Sequence, residues 1–376
     1  MNQSDKKIHV LLVGGGTGGH FYPLISIAET LKTSVSNLTL YYAGPTEYDR
    51  GSLNAENIQF VYIPAGKQRR YSSILNFFDL FKTAFGILVA ICKLYVMYPD
   101  VVMSKGGYTS VPVVLAAWFL RIPIIVHESD AVPGKANLLA ARFARTIIVA
   151  YPESVSMFNH HNVLHLGIPI RKSLLMPPSE KTIELLNIDP NRPAILILGG
   201  SQGAEIINNL ILTSLPGLLK NFSILHQTGT NNFETCTATA NTLVTDPLFR
   251  AHYHPIAFLS GDMLNNAYHA ASLVISRAGS TSIYEIALHN KPSIIIPIPE
   301  SISHDQRTNA YTYARSGAAT VIEESNLTDS LLLAEIDRIM QNEDTYKQMS
   351  AAAQAFAKTN ASEAISSLLV GIAQEH

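Results

Sequence analysis

The sequence predicts an α/β protein of two doubly wound, Rossmann-like domains that face each other across a cleft. Three observations support this fold class. Apolar strand patterns alternate with helical patterns, which is typical of parallel sheets covered by helices on both faces. A strand, a glycine-rich turn and a helix occupy residues 8–31, and the same order recurs from residue 193. The length of 376 residues suits two domains of ordinary size.

In the first half, strands are predicted at residues 8–13, 38–43, 58–63, 100–103, 122–126, 146–150 and 164–170. Four helices are predicted there. One starts at residue 23, one ends near residue 95, one starts at residue 111 and one spans residues 131–144. Residues 173–191 are polar and carry prolines, which indicates a linker between the domains. In the second half, strands are predicted at 193–198, 222–227, 274–276 and 293–297, and helices from 205, over 281–288, 329–354 and 361–374.

Composition excludes several classes of protein. A net charge of −2 argues against general nucleic-acid binding. Cys92 and Cys236 lie far apart and outside any Cys/His cluster, so we expect neither a disulfide framework nor a zinc site. The first ten residues lack the apolar core of a signal peptide. No apolar run is expected to span a bilayer, because Lys93 interrupts the run at residues 84–92.

The predicted helix that ends near residue 95 has two interpretations. Its apolar residues recur at helical spacing, and core packing is the first interpretation. The alternative is a patch that faces an anionic lipid surface, since basic residues flank it. The apolar residues are Ile74, Phe77, Phe78, Phe81, Phe85, Leu88 and Val89, and the basic ones are Lys67, Arg69, Arg70 and Lys82.

Polar residues follow several predicted strands. Gly14, Gly16 and Gly19 fit the G-x-G-x-x-G turn of nucleotide-binding folds, whereas a P-loop is excluded because no Lys follows them. His20 places an imidazole beside any bound anion; the alternative is a tight turn without a ligand. The predicted strand at 122–126 leads into the polar residues His127, Glu128, Ser129 and Asp130, at the edge where open sheets bind ligands.

A third group of candidate residues lies in the second half, at a predicted helix start. Ser280, Thr281 and Ser282 would direct their hydroxyl and N–H groups towards an anion there. Glu285, one turn further on, could accept hydrogen bonds from ribose hydroxyls. Helix capping is the alternative role for these residues.

Eight motifs in order identify a family resemblance: GGGTGGHFYP, SKGGYTSVP, HESDAVPGKAN, LGIPIR, LGGSQGA, HQTG, SRAGSTSIYE and HDQRTNA. Together they resemble the MurG family of bacterial murein glycosyltransferases over residues 8–319. The resemblance implies the two-domain GT-B fold. It also implies transfer of N-acetylglucosamine from UDP-N-acetylglucosamine to undecaprenyl-diphosphate-N-acetylmuramyl-pentapeptide (lipid I), which gives lipid II in peptidoglycan synthesis.

The resemblance also implies domains and a location. It implies an acceptor-binding and membrane-facing domain at residues 1–172, a UDP-sugar-binding domain at 173–345, and C-terminal helices at 346–376 that cross back to the first domain. The enzyme is expected on the cytoplasmic face of the bacterial inner membrane as a peripheral protein, with the anionic membrane surface as a partner and no nucleic acid.

Site residues follow from the matching motif positions. The acceptor diphosphate and the sugar would meet the first glycine loop, and the UDP-sugar would meet the second half. Uracil would contact the backbone of Leu259 with Phe258 nearby, Arg171 and Ser201 would meet the donor diphosphate, and Gln306 would bind the sugar. The implied substrate-binding residues are Thr17, Gly18, Gly19, Asn137, Arg171, Ser201, Gln202, Phe258, Leu259, Ser280, Thr281, Ser282, Glu285 and Gln306.

The implied reaction inverts the anomeric carbon, so one displacement suffices and a base must take the proton of the acceptor hydroxyl. His20 is the first candidate, because an imidazole titrates near neutral pH, and Glu128 and Asp130 are alternatives. His20 could instead only donate a hydrogen bond. Arg171 and the helix start at Ser280 would stabilise the leaving UDP. We expect no cofactor and no bound metal.

Other functions share this architecture. A UDP-N-acetylglucosamine 2-epimerase would interconvert the sugar nucleotide without an acceptor. Another GT-B sugar-nucleotide enzyme is a further alternative. A non-catalytic sensor would bind UDP-sugar and keep its function when His20 is replaced by Ala.

Overall fold

The computed structural model of this chain describes residues 7–66, 74–200, 203–259, 261–300 and 304–376. These residues form two compact units. Unit 1 extends to Arg171 and includes Lys358–His376, and unit 2 is Lys172–Ala357. The first boundary lies one residue before the predicted one, and the last boundary lies after residue 357 rather than after residue 345.

Unit 1 contains a parallel sheet of seven strands in the order β3-β2-β1-β4-β5-β6-β7. The central strands are buried on both faces, which explains their continuous apolar sequences. The strands are β1 Ile8–Val13, β2 Leu38–Gly44, β3 Gln59–Tyr62, β4 Val101–Ser104, β5 Ile124–Glu128, β6 Thr146–Val149 and β7 Val163–His165.

Helices cover both faces of this sheet. They are α1 Gly18–Ser34, α2 Arg50–Ala55, α3 Ile74–Met97, α4 Val111–Phe119 and α5 Lys135–Ala141. The helix predicted over residues 131–144 is thus shorter than expected. Glu128 accepts hydrogen bonds from the backbone N–H groups of Asp130 and Gly134, so the chain turns there before α5 begins.

Helix α3 corrects two predictions. It ends at Met97 rather than near residue 95, and Lys93 lies within it, where its Nζ donates to the carbonyl oxygen of Tyr62 at 2.9 Å. Among the described residues, one helix, at Phe77–Met97, is long and apolar enough to cross a membrane by length and composition alone. Gly86, Ala90 and Leu94 are buried on the inner side of α3.

The interpretation of the phenylalanine stripe as core is wrong. Phe77, Phe78, Phe81 and Phe85 are each about 60% exposed, and Leu88 is 63% exposed. Only the side of α3 that carries Ala90 and Leu94 joins the core of unit 1. Lys67, Arg69 and Arg70, with the side chain of Ile74, lie outside the described residues.

Unit 2 contains a parallel sheet of six strands in the order β10-β9-β8-β11-β12-β13. The strands are β8 Ala194–Leu198, β9 Ser223–Gln227, β10 Tyr253–Ile256, β11 Ala271–Ser276, β12 Ser293–Ile295 and β13 Ala319–Val321. Its helices are α6 Thr182–Leu186, α7 Glu205–Leu218, α8 Phe233–Leu243, α9 Pro247–Arg250, α10 Gly261–Ala270, α11 Ser280–Leu288, α12 His304–Arg315, α13 Asp329–Met340 and α14 Glu343–Phe356. The predicted arrangement of two parallel α/β sheets is confirmed.

Two connecting segments differ from the sequence predictions. The predicted linker at 173–191 contains α6 and is tied to unit 2, because the Asn266 side chain accepts hydrogen bonds from Ser179 N and Thr182 Oγ1. The helix predicted over 329–354 is two helices, α13 and α14. They separate at Asn342, whose side chain caps α14 by accepting from Thr345 N at 2.9 Å.

The last helix, α15 Ala361–Glu375, belongs to unit 1. Its apolar residues Ile365, Leu369 and Ile372 join the same core cluster as the residues of α1. Ser362 and Ser26 share a hydrogen bond at 2.8 Å, and Ser26 donates to the carbonyl oxygen of Ile170 at 2.6 Å. The final helix is therefore part of the core of unit 1.

Candidate functional site

The first glycine loop lies at the switch point of the unit 1 sheet. The chain moves from β1 outwards to β2 and β3, then returns to β4 on the other side of β1. Ligands of open α/β sheets bind outside the carboxyl ends of the strands at such a point. Lys105, the residue after β4, packs against Gly14, where an added Cβ would lie 2.5 Å from Lys105 Cβ. Only glycine fits there without displacing the backbone.

Thr17 and His20 stand at the start of α1. Thr17 Oγ1 lies 2.8 Å from His20 Nδ1, and no side chain caps the first turn at Gly18 and Gly19. These N–H groups are therefore directed towards the edge where a ligand would bind. Burial and the nearby Lys105 ammonium lower the pKa of His20 to about 4, although the carboxylate of Asp130 opposes them. The imidazole is neutral at physiological pH.

Glu128 orders the loop that follows β5. Its buried carboxylate accepts hydrogen bonds from Asp130 N, Gly134 N and Asn137 Nδ2, each at 2.9 Å. Burial raises the pKa of Glu128, and the neighbouring Asp130 adds to this rise. The charge of Asp130 also raises the pKa of His20 and of Lys105, so Asp130 is the carboxylate directed towards the glycine loop.

Arg171 is the last residue of the first segment of unit 1. Its guanidinium carbon lies 4.8 Å from the ring centroid of Tyr22 on α1, in a cation–π arrangement. The pKa of Tyr22 is raised mainly by burial and by Asp49, and the charge of Arg171 opposes this rise. The arginine thus stands beside the helix that begins at the first glycine loop.

The second glycine loop lies at the switch point of the unit 2 sheet, between β8 and β11. Gln227, at the end of β9, forms hydrogen bonds to two loops at this edge. Its Nε2 donates to the carbonyl oxygen of Gly200 at 3.1 Å, and its Oε1 accepts from Leu259 N at 2.9 Å. Leu259 is buried and Phe258 is 45% exposed. Ser201 and Gln202 lie outside the described residues.

Helix α11 follows β11 after a turn of three residues, 277–279. Its N-cap is Gly279, and no side chain caps the first turn, which holds Ser280, Thr281 and Ser282. Ser280 is buried, and the next two residues are half-buried. A helix start of this kind binds anions through its N–H groups.

Two further side chains stabilise the loop before α11. Arg277 Nη1 donates to the carbonyl oxygen of Ile296 at 3.2 Å and forms an ion pair with Glu324 at 2.5 Å. Asn309 Nδ2 donates to the carbonyl oxygen of Ala278 at 3.3 Å. The turn is therefore fixed by neighbouring strands and helices.

Glu285 and Gln306 are the remaining residues of the predicted donor site. Glu285 is buried on α11, and its Oε2 accepts a hydrogen bond from the Tyr268 hydroxyl at 3.2 Å. Gln306 stands on α12, where its Oε1 accepts from Ile298 N at 3.4 Å. The described part of the chain contains no group of three or more His, Cys, Asp or Glu that could hold a metal ion.

The structure places the candidate residues in two sets, one in each unit. The charge of Asp130 acts on His20, whereas Glu128 is engaged in its own loop. Lys105 after β4, His127 near the end of β5 and Gln227 at the end of β9 were not among the predicted site residues. Each is polar and follows or ends a buried strand, which is a usable signal for a ligand-binding edge.

Comparisons with known proteins agree on the family. The model of the glycosyltransferase family 28 N-terminal domain matches residues 10–149, and that of the family 28 C-terminal domain matches residues 194–365. Relatives from Bacillus anthracis and Clostridium botulinum carry the name UDP-N-acetylglucosamine–N-acetylmuramyl-(pentapeptide) pyrophosphoryl-undecaprenol N-acetylglucosamine transferase, with the suffix 2 in the Bacillus relative. The first is 33% identical over 97% of this chain and 99% of its own length, and the second is 35% identical over 90% and 92%.

Solved structures are similar over the whole chain. The crystal structure of Acinetobacter baumannii MurG has a TM-score of 0.74 and 25% sequence identity, and the match covers 97% of this chain and 99% of that one. A putative UDP-N-acetylglucosamine 2-epimerase from Listeria monocytogenes has a TM-score of 0.71 at 13% identity over 99% of this chain and 98% of that one, which shows a shared fold alone. The chain therefore has the GT-B fold and belongs to glycosyltransferase family 28 and, within it, to the MurG family of N-acetylglucosamine transferases.

Proposed function

We propose that this chain transfers N-acetylglucosamine from UDP-N-acetylglucosamine to lipid I and so forms lipid II. The observation that carries this proposal is the near-full-length match to relatives named for this transfer, at 33% identity over 97% of the chain. The uncapped helix starts at the two switch points support it, because the donor and the acceptor each carry a diphosphate.

Unit 2 binds the donor in this proposal. The start of α11, with Ser280, Thr281 and Ser282, and the second glycine loop, with Ser201 and Gln202, hold the diphosphate. Glu285 accepts hydrogen bonds from the ribose hydroxyls, and the Tyr268 hydroxyl donates to its Oε2.

The uracil and the sugar contact other residues of unit 2. The N–H group of Leu259 already donates to Gln227, so its carbonyl oxygen is the group offered to uracil, with Phe258 beside the ring. Gln306 contacts the sugar. Arg171, which belongs to unit 1, supplies positive charge to the leaving diphosphate.

Unit 1 binds the acceptor, and His20 is the base. The acceptor oxygen attacks the anomeric carbon, the bond from that carbon to the UDP oxygen breaks, and UDP leaves with the bonding electrons. The proton of the acceptor hydroxyl passes to His20. When Nδ1–H of His20 donates to Thr17 Oγ1, the lone pair of Nε2 is free to take this proton. The Asp130 carboxylate then stabilises the imidazolium, while Glu128 and Asn137 order the Asp130 loop.

We also propose that unit 1 docks on the anionic cytoplasmic surface of the bacterial inner membrane through α3. Phe77, Phe78 and Phe81 are about 60% exposed, in the half of α3 that begins at the carboxyl edge of the sheet. The opposite side of α3 is buried in unit 1, so the helix lies along the membrane rather than across it. This places the lipid-linked acceptor beside the first glycine loop.

A transfer assay tests the reaction. Purified protein, UDP-N-acetylglucosamine and a lipid I analogue should give the disaccharide product, with no epimerisation of the sugar nucleotide when the acceptor is omitted. His20→Ala should lower kcat about 10²- to 10⁴-fold, because general-base catalysis contributes that range, and leave UDP binding unchanged. His161→Ala, an exposed histidine of the same unit, is the matched control. Absence of the disaccharide with well-folded protein would contradict the proposal.

A further inference from the structure

Lys105 is a buried cation that the reaction described above does not use. It is the first residue after β4, and its backbone N–H donates to the carbonyl oxygen of Val13 at 2.8 Å. Its side chain is fully buried beneath the first glycine loop, against Gly14. An ammonium group in such a place is costly unless hydrogen bonds and opposite charges compensate it, so its presence needs a reason.

Hydrogen bonds from Lys105 define a chain across the sheet edge. Lys105 Nζ lies 2.8 Å from His127 Nδ1, and His127 Nε2 lies 2.8 Å from the carbonyl oxygen of Gly167. A carbonyl only accepts, so Nε2 carries the proton and Nδ1 accepts from the lysine. The chain of bonds therefore joins the residue after β4, the end of β5 and the turn after β7.

Opposite charges hold the Lys105 ammonium in place. Burial lowers the pKa of Lys105 to about 8, while the carboxylates of Glu128 and Asp130 raise it, so the group is mostly charged at pH 7. The charged and titratable groups that face it are His20 from α1, His127 and Glu128 from β5, and Asp130 from the following loop. The ammonium is one of the causes that lower the pKa of His20 and of His127, after burial.

We propose that Lys105 is a positioning residue for the transfer reaction: its ammonium fixes His127 and the Gly167 turn, and it supplies a fixed positive charge beneath the glycine loop that receives the acceptor diphosphate. This inference rests on the proposed function. The buried charge acts on His20 and Asp130 through low-dielectric protein, where electrostatic effects are larger than in water. The Lys105 charge favours binding of an anionic acceptor and disfavours protonation of His20 before the reaction.

Two variants separate the charge from the hydrogen bond. Lys105→Met removes both, whereas Lys105→Gln keeps a donor for His127 Nδ1 and removes the charge. We expect kcat to fall about ten- to hundredfold for Lys105→Met, since misplaced catalytic groups cost rates of this order, and less for Lys105→Gln. In both variants the acid limb of the kcat–pH profile moves up by about one pH unit, because His20 loses a repelling charge. Lys32→Met, on the surface of α1, should behave as wild type.

The state of the His127 ring gives a readout independent of activity. Nitrogen-15 NMR of the imidazoles should show His127 neutral with its proton on Nε2, and Lys105→Met should shift the Nδ1 resonance towards that of an unbonded acceptor. An unchanged His127 spectrum together with an unchanged pH profile in both variants would overturn the proposal. A wild-type protein that shows the expected His127 state but no transfer would overturn the proposed function instead.

Discussion

Replacing three phenylalanines of α3 by serine should weaken membrane binding about 10³-fold and leave the fold intact. Phe77, Phe78 and Phe81 are 60%, 61% and 60% exposed. A phenylalanine can bury about 200 Å², so about 120 Å² of each ring is available to a membrane. At about 25 cal/mol per Å², the three rings could contribute about 9 kcal/mol, an upper bound for full insertion. If half of that area enters the lipid, the variant loses about 4 kcal/mol, or about 10³-fold in partitioning.

The loss of folding stability should be small, because these three rings bury little of their area in the folded protein. We expect the free energy of unfolding to fall by about 1 kcal/mol or less, since serine and phenylalanine have similar helix propensities. Sedimentation with vesicles of anionic and of neutral lipid measures binding, and thermal unfolding followed by circular dichroism measures stability. Leu248→Ser, on a 78% exposed leucine of unit 2, is the control for loss of a surface apolar group.

Two results would refute this reasoning. If the triple variant unfolds, the rings support the core despite their exposure. If it binds anionic vesicles as tightly as wild type does, α3 is not the membrane-facing surface. Transfer to a water-soluble acceptor analogue, assayed without lipid, should continue at the wild-type rate, because Phe77, Phe78 and Phe81 are exposed and are not among the candidate substrate-binding residues.

Three further predictions concern unit 2. Gly203→Ala should weaken UDP binding at least tenfold, because Gly203 has a φ of +77° and the new Cβ would lie 2.2 Å from the carbonyl oxygen of Thr228. Tyr268→Phe should raise the KM for the donor about fivefold and leave kcat unchanged, since it removes the hydrogen bond from the Tyr268 hydroxyl to the Glu285 carboxylate. The free energy of unfolding should fall by about 3 kcal/mol from pH 7 to pH 4 through His226, because burial lowers its pKa to about 3, below that of the unfolded chain, which therefore binds more protons.

Controls accompany these three predictions. Gly371→Ala, on α15 with open space at the Cβ position, should not affect UDP binding, and equal losses in the two variants would contradict the steric argument. A fall in kcat without a change in KM for Tyr268→Phe would show that Tyr268 does not act through donor binding. His226→Gln should flatten the pH dependence, measured by urea unfolding at each pH, and an unchanged slope would show that other groups cause it.

Much of the fold follows from local patterns in the sequence. Parallel strands buried on both faces read as apolar runs, so both sheets and their glycine turns could be predicted. The helix break at Asn342 was missed, although Asn is a typical cap, because the apolar period continues on both sides of it. The predicted linker was wrong for a different reason: its contacts with Asn266 join residues more than 80 positions apart.

The candidate site, like the fold, was predicted in part from local patterns and depends in part on contacts between distant segments. Strand ends and glycine spacing brought His20, Asp130 and Glu285 to notice from the chain alone. The bond from Lys105 to His127 joins residues 22 positions apart, so it depends on how the segments that follow β4 and β5 meet at one edge. No spacing within a motif encodes such a meeting.

By itself, the sequence determined the α/β architecture, the two switch-point loops and the family, because each is encoded in short-range order along the chain. Only the tertiary structure decided which side of α3 is exposed, where the charge of Lys105 lies and to which unit the last helix belongs. The physical reason is that burial and electrostatic environment are properties of neighbours in space. A helix that is apolar all round carries no local signal of which side meets water.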